Sequence, residues 1–450
     1  MLKSSQAFAK LPPREQGREL AVLGCVAALS GVLTGLVGAA FQIFLLRAEA
    51  ARATLLTWAH QWPLIGWVIP VGAAALAVGL AAWLVLRFAP LAAGSGVQHV
   101  EAVMRGEAAP APLAVLPVKF VGGVLAIGSG LALGREGPTV QLGATIGARI
   151  AQRFSLSDDG VRLIQSAAAG AGLGVAFNTP LGGIAFVFEE LAQRFGVRLM
   201  VATLAACASG VFVSRFILGD VIDFNVPEPA EPLLATVLVC VVLGTLLGLL
   251  GAAYNRTLII FLDRFATWTT VPTPLRAAGV GGVVGLVAWF EPLIVGGGDP
   301  IIQSVLERPV SISLLLVVLV ARWFLGPYSY SAQTPGGLFA PLLVVGAVFG
   351  SLFAQVAAMV VPGLPLSPAM GALVGMAAFF TGVVRSPFTG TLLVLGMTGT
   401  ATPLIPILAA CVAATIVPYA LGNDPIYDTL RARMPKQALP QSEVATPPAG

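Results

Sequence analysis

From Trp323 to Asn423 the only ionised side chain is Arg385, and the runs Leu20 to Leu46, 163 to 188 and 233 to 255 carry none at all. An unpaired acid or base at the centre of a bilayer costs about 2.5 to 3.5 kcal/mol on insertion scales, so uncharged stretches of this length are suited to hydrocarbon. The composition agrees. Charged residues make up 10% of the 450 and hydrophobic ones 57%, whereas roughly a quarter of an ordinary soluble domain is charged. At about 20 apolar residues per crossing, the chain has room for on the order of ten spans or more. The expectation is an all-α polytopic membrane protein and not an enzyme.

Several other functions are disfavoured. A formal net charge of +4 is small, and the basic residues sit near the ends of apolar runs, so no nucleic-acid partner is expected. Cys25, Cys207, Cys240 and Cys411 lie inside apolar runs without CxxC spacing, which suggests packing rather than disulfides or zinc. His60 and His99 have no partner at metal-ligand spacing and HExxH is absent, so neither a metal nor a cofactor is expected.

Residues 1–19 carry Lys3, Lys10, Arg14 and Arg18 ahead of the first apolar run. Arg431, Arg433 and Lys436 follow the last one. The positive-inside rule then places both termini in the cytoplasm, with an even number of net crossings. The segment 431–450 reads as a disordered tail, because beyond Pro435 it has nothing to bury. Asp220 to Pro232 holds four acids, three prolines and no base, as expected of an outside loop between two halves. The halves echo one another. Gly134-Arg135-Glu136-Gly137-Pro138 shares a Gly-x-x-x-Pro frame with Gly337-Leu338-Phe339-Ala340-Pro341, displaced by 203 residues. Asn178-Thr179-Pro180 and Arg385-Ser386-Pro387 each lead into an apolar run, displaced by 207. Similar displacements suggest an internal duplication within a membrane domain at 20–430, with repeats at about 20–225 and 231–430 and a transport site between them at mid-membrane.

Many apolar segments are too short or too broken to cross as one helix. Interrupted backbone is tolerated at membrane depth only where protein buries it or a cavity borders it, so the breaks should mark a pathway. Gly94-Ser95-Gly96, Gly134 to Pro138 and Gly336 to Pro341 each place Gly at the start of a helix-like run. Helix starts expose free N–H groups and roughly half a positive charge, which attract anions without any lysine or arginine. A full positive charge would hold the ion too tightly for throughput.

These segments, with Gly94-Ser95-Gly96-Val97-Gln98, Pro117-Val118-Lys119-Phe120, Ala176 to Pro180, Glu189-Glu190 and Tyr427, resemble the signature segments of the CLC chloride channel and transporter family over roughly residues 20 to 430. The resemblance implies an inverted-repeat homodimer in the cell (inner) membrane, with one anion pathway per subunit and no CBS domains. It makes Ser95 and Tyr427 the hydroxyls of an anion site completed by the N–H groups of Leu338 and Phe339. Glu136 becomes the external gate and proton acceptor, and Glu190 the internal proton-transfer acid found in the family's exchangers. The function implied is chloride/proton antiport, with chloride and proton as the transported ligands and bromide or nitrate as further candidate anions. A passive chloride channel gated by Glu136 is the alternative. Val97-Gln98 lacks the proline usual in this motif, and Gly396 stands where many relatives carry Glu.

Plainer roles compete for the same residues. Glu136 can pair with Arg135 or Lys119, and Glu190 can snorkel to the interface beside Arg194. Ser95 can cap a helix, while Phe339 and Tyr427 can be core aromatics. Glu189 reads as structural. Lys119 and Arg135 read as counter-charges rather than chloride ligands.

Overall fold

The structure, a computed structural model, describes residues 12–220, 222–227 and 232–434. The regular elements among them are helices. A first series comprises α1 (Pro13–Ala59), α2 (Val68–Phe88), α3 (Val97–Arg105), α4 (Val115–Gly128), α5 (Glu136–Arg153), α6 (Asp158–Ala176), α7 (Pro180–Phe186) and α8 (Val197–Leu218). A second comprises α9 (Leu234–Thr267), α10 (Thr273–Phe290), α11 (Asp299–Glu307), α12 (Ile312–Tyr330), α13 (Phe339–Val360), α14 (Pro368–Val384), α15 (Pro387–Thr398) and α16 (Leu404–Ala420), and α17 (Ile426–Ala432) closes the described chain. The second series repeats the first helix for helix. Short 3-10 turns follow α2 at Pro90–Ala92 and α10 at Pro292–Ile294, and α3 and α11 have nine residues each.

Seven of these helices are long and apolar enough to cross a membrane: α1, α2, α8, α9, α10, α12 and α13. Four more apolar helices, α4, α14, α15 and α16, are shorter. Full spans are thus fewer than the apolar residue count alone allows, because much of that material sits in broken helices. Two terminal boundaries also shift. The first helix already begins at Pro13, and Arg431 belongs to α17 rather than to a loose tail. Lys3, Lys10 and Lys436, like the stretch beyond Pro435, lie outside the described residues.

Local chemistry sets the breaks. Ser157 and Ser367 open α6 and α14 by accepting the N–H of Gly160 and Met370, and Thr179 opens α7 by accepting that of Gly182. Each such cap is worth about 1 kcal/mol. Pro180 and Pro387 occupy first turns, where the missing N–H has no intrahelical partner to lose. Shortly before them Asn178 and Arg385 adopt φ of 50° and 75°, a left-handed turn that reverses the chain and is rare outside glycine. The second sequence echo is therefore a shared backbone break.

Small residues let the series close. On α1 Gly31 and Gly35 lie against Ala206 and Gly210 of α8, and on α9 Gly244 and Gly248 lie against Ala410 and Ala414 of α16. A Cβ at Gly31 or Gly244 would run into a partner carbonyl oxygen, so each pair packs backbone to backbone as small-residue membrane interfaces do.

The two series meet at the first echo. Gly134 N–H donates to Gly337 O at 2.9 Å, and Gly337 N–H donates to Gly134 O at 2.7 Å. A residue bonded reciprocally to its own counterpart lies on the pseudo-twofold axis, which is the signature of inverted repeats. A further correspondence is not evident from residue identity. Lys119 donates to the carbonyls of Ala92 and Gly94 at 3.2 and 2.7 Å, while Arg322, also displaced by 203, donates to those of Ile294 and Gly296 at 2.9 and 2.7 Å. Each half uses one buried cation to satisfy the carbonyls of its broken segment.

Candidate functional site

α5 and α13 start at the axis with their N-termini converging. Glu136 is the first residue of α5 and is 1% exposed. Phe339, the first residue of α13, donates its N–H to Glu136 Oε1 at 2.7 Å, and the Ala340 N–H also faces this carboxylate. The gate candidate thus sits on the free amides of the facing helix, where the dipole favours negative charge. It forms no ion pair with its neighbours. Lys119 is committed to carbonyls, and Arg135 donates to Ala176 O at 2.9 Å and lies 3.6 Å from Asp223.

The hydroxyl candidates arrive from two other elements. Ser95 precedes Gly96, whose φ of 86° turns the chain into α3. A Cβ on Gly137 would lie 2.7 Å from Ser95 Oγ and 2.8 Å from Gly337 Cα, so Ser95, the residue after Glu136 and the axis glycine are packed together. Tyr427, at the start of α17, is fully buried and faces Ser95. Its ring lies 5.9 Å from that of Phe339, which also packs on Phe380 at 4.7 Å and Phe186 at 5.8 Å. Ser95 Oγ, Tyr427 Oη and Glu136 Oε2 are all buried without a hydrogen-bond partner among the described residues. Buried polar atoms are rarely left so; the two hydroxyls face each other, while Glu136 Oε2 lies against Gly134. Leu338, the remaining candidate, is buried immediately before α13.

Glu190 lies in a five-residue π turn, Val187–Leu191, that extends α7. It is 6% exposed and does not reach for Arg194; Ser386 Oγ donates to its Oε2, and its carboxyl group faces that of Glu101. Glu101 in turn lies 3.6 Å from Arg431, which pairs with Glu107 at 3.1 Å and Asp428 at 2.5 Å. Glu189 does something else. Its two oxygens accept the N–H groups of Phe388 and Thr389 at 2.9 and 2.6 Å, capping α15 from outside the helix.

Glu101 escaped the sequence reading. A signal existed, since Val97, Val100, Glu101 and Met104 fall on one helical face and all four are buried. The departures from the usual motif are also accommodated. Gln98 faces Tyr330, whose hydroxyl accepts the Ser95 N–H at 3.2 Å. At Gly396 a Cβ would collide with the side chain of Thr179, so the cap of α7 occupies the room a larger residue would need. No group of three or more His, Cys, Asp or Glu suited to a metal occurs among the described residues.

α8 begins beside Gln193 and ends beside Asp220. Its 22 residues, at 1.5 Å each, span roughly 33 Å, one bilayer core. One end of the site, with Glu190 and Arg431, therefore belongs to one membrane face, and Asp220 and Asp223 belong to the other.

The family described as "Voltage gated chloride channel" matches residues 75–419. The chain is 36% identical over 433 residues to the H(+)/Cl(-) exchange transporter ClcA of Vibrio parahaemolyticus serotype O3:K6 (strain RIMD 2210633), covering 93% of this chain and 92% of that one. It is 37% identical over 417 residues to the protein of the same name from Vibrio vulnificus (strain YJ016), covering 91% and 89%. Among solved structures it is similar to a slow cyanobacterial Cl-/H+ antiporter, with a TM-score of 0.86, 31% identity, and coverage of 94% of this chain and 98% of the other. With helix starts converging on a buried glutamate across an inverted repeat, and with likeness along nearly its whole length, the chain belongs to the CLC family of voltage-gated chloride channels and transporters.

Proposed function

We propose that the chain is a chloride/proton antiporter in which Glu136 and chloride compete for the same amides. The observation that carries this is the 2.7 Å bond from the Phe339 N–H to Glu136 Oε1. Helix N-termini bind any compact anion, so an ionised carboxylate and a chloride ion are rivals for that position. Protonation removes the charge that holds Glu136 there. The side chain then leaves with its proton, and chloride settles among the N–H groups of Leu338 and Phe339 and the hydroxyls of Ser95 and Tyr427. Because the donors are neutral, the ion is held without being trapped. When Glu136 loses its proton it returns and expels the ion, so each occupant moves the other.

Protons need a second way to Glu136 that chloride does not share, and Glu190 with Glu101 supplies acids on the opposite membrane face. An intramembrane acid pair is costly, and such acids mark proton paths by default, which favours exchange over a passive Glu136-gated channel. Both termini lie in the cytoplasm of a cell that carries the protein in its inner membrane, so the Arg431 face is cytoplasmic and the Asp223 face external. The working unit is a homodimer with one pathway per subunit. Ser95 favours chloride, with bromide or nitrate as weaker substrates. The relatives named above support this reading.

The test uses purified protein in liposomes. A chloride gradient should drive protons against their own gradient. Chloride flux that dissipates with no proton movement would overturn the antiporter in favour of the channel.

A further inference from the structure

A cavity of about 120 Å³ lies on the Asp223 face next to Glu136, and its walls include Gly134, Arg135, Ala340, Asp223, Asp299 and Glu49. Two of these walls are shared with the gate. A Cβ on Gly134 would collide with the Glu136 carboxylate, and the Ala340 N–H faces it. The cavity therefore borders two of the segments that hold that carboxylate. The volume is enough for water, and the lining is polar enough to hold it.

Across the cavity the chain is pinned by Phe224 N–H donating to Met397 O at 3.0 Å. This holds Asp223 with its side chain 18% exposed and Oδ1 3.6 Å from Arg135 Nη2. The second oxygen, Oδ2, is buried and has no hydrogen-bond partner. Arg135 also lies 4.0 Å from Asp299, whose side chain is half exposed. Glu49 faces the same group from α1, and Arg52 stands beside it. Arg135 thus has a carboxylate on either side, Glu136 next in sequence and Asp223 in space.

We propose that Asp223 is the external proton relay of the transporter, exchanging protons with Glu136 through this cavity. The proposal rests on the antiporter reading. The proton leaves a Glu136 oxygen, passes through water and arrives on Asp223 Oδ2. One carboxylic acid becomes a carboxylate as the other carboxylate becomes an acid, so the charge around Arg135 is unchanged by the step. Burial raises Asp223 to about 6 against the pull of Arg135, which keeps it able to accept and release protons near neutrality, as an efficient transfer group must. Asp299, more exposed, and Glu49, whose charge the neighbouring Arg52 favours, are less suited to the role.

Asp223→Asn, which preserves shape, should lower chloride-driven proton flux on the order of tenfold at pH 7, short of the 10²-fold or more of a lost general acid because water remains a donor. At pH 4.5, where hydronium is abundant, the variant should approach the parent, and Asp223→Glu should restore the neutral-pH rate. In a Glu136→Gln background, where chloride no longer waits for a proton, adding Asp223→Asn should change chloride flux little. A profile parallel to the parent at all pH values, or an equal loss in the Glu136→Gln background, would reduce Asp223 to a structural partner of Arg135. Absence of proton coupling in the unmodified protein would instead sink the antiporter reading itself.

Discussion

Glu136 and Glu190 are both buried carboxylates at broken helices, yet their surroundings differ in kind. Glu136 rests on backbone N–H groups at the start of α13. Glu190 rests on a hydroxyl and a second carboxyl group. A seat made of amides accepts any anion of suitable size, so a halide can replace the side chain. A seat shared with another acid offers nothing to chloride and accepts only a proton. On the proposed reading, the chemistry of the partners, rather than burial or residue type, separates the shared step of transport from the proton-only step.

Breaking the comparison at its stronger end gives the largest effect. Glu136→Gln can neither ionise nor carry a proton, so proton coupling should vanish while chloride flux survives, whereas Glu190→Gln should cut proton flux by about 10²-fold or more with chloride flux retained. Paired chloride and proton recordings check both, and loss of chloride flux in Glu190→Gln would erase the distinction. Glu101→Gln sharpens it. The amide can still bond Glu190 but cannot exchange a proton, and a smaller fall in proton flux, on the order of tenfold, is expected because Glu190 still reaches other donors. The mildest test leaves both acids in place. In Gly134→Ala the nearest atoms to the new methyl are those of the Glu136 carboxylate, and relief of about 1 to 3 kcal/mol of overpacking should push the carboxylate off its amides. Chloride transported per proton should rise several-fold, and an unchanged ratio would mean that the carboxylate's seat does not control the anion.

Local chemistry was legible in the chain. Uncharged runs gave the membrane class, and the repeated Gly-x-x-x-Pro frame marked the segments that meet at the axis. Glu136, Ser95 and Phe339 stood inside those motifs. What escaped notice depends on partners far apart in the chain. Glu101 and Glu190 meet only because α3 packs beside the end of α7, and a lone acid in a short amphipathic helix reads as a surface residue until its face is known. Lys119 and Arg322 occupy equivalent places, but Lys and Arg at a displacement of 203 do not look like a repeat until both are seen binding carbonyls. Asp223 lies in a stretch whose acids read as an ordinary loop, and burial against Arg135 is what distinguishes it.

The reciprocal bonds between Gly134 and Gly337 limit how this molecule can work. A transporter that rocked one half past the other would break both of these buried backbone bonds in the place where an ion is held, at a cost of a few kcal/mol. Rotating a single glutamate about its own bonds breaks neither. On the proposed reading, access alternates through the swing of a few atoms inside a stationary frame, and freezing the two halves together with a cross-link away from Glu136 should leave turnover intact.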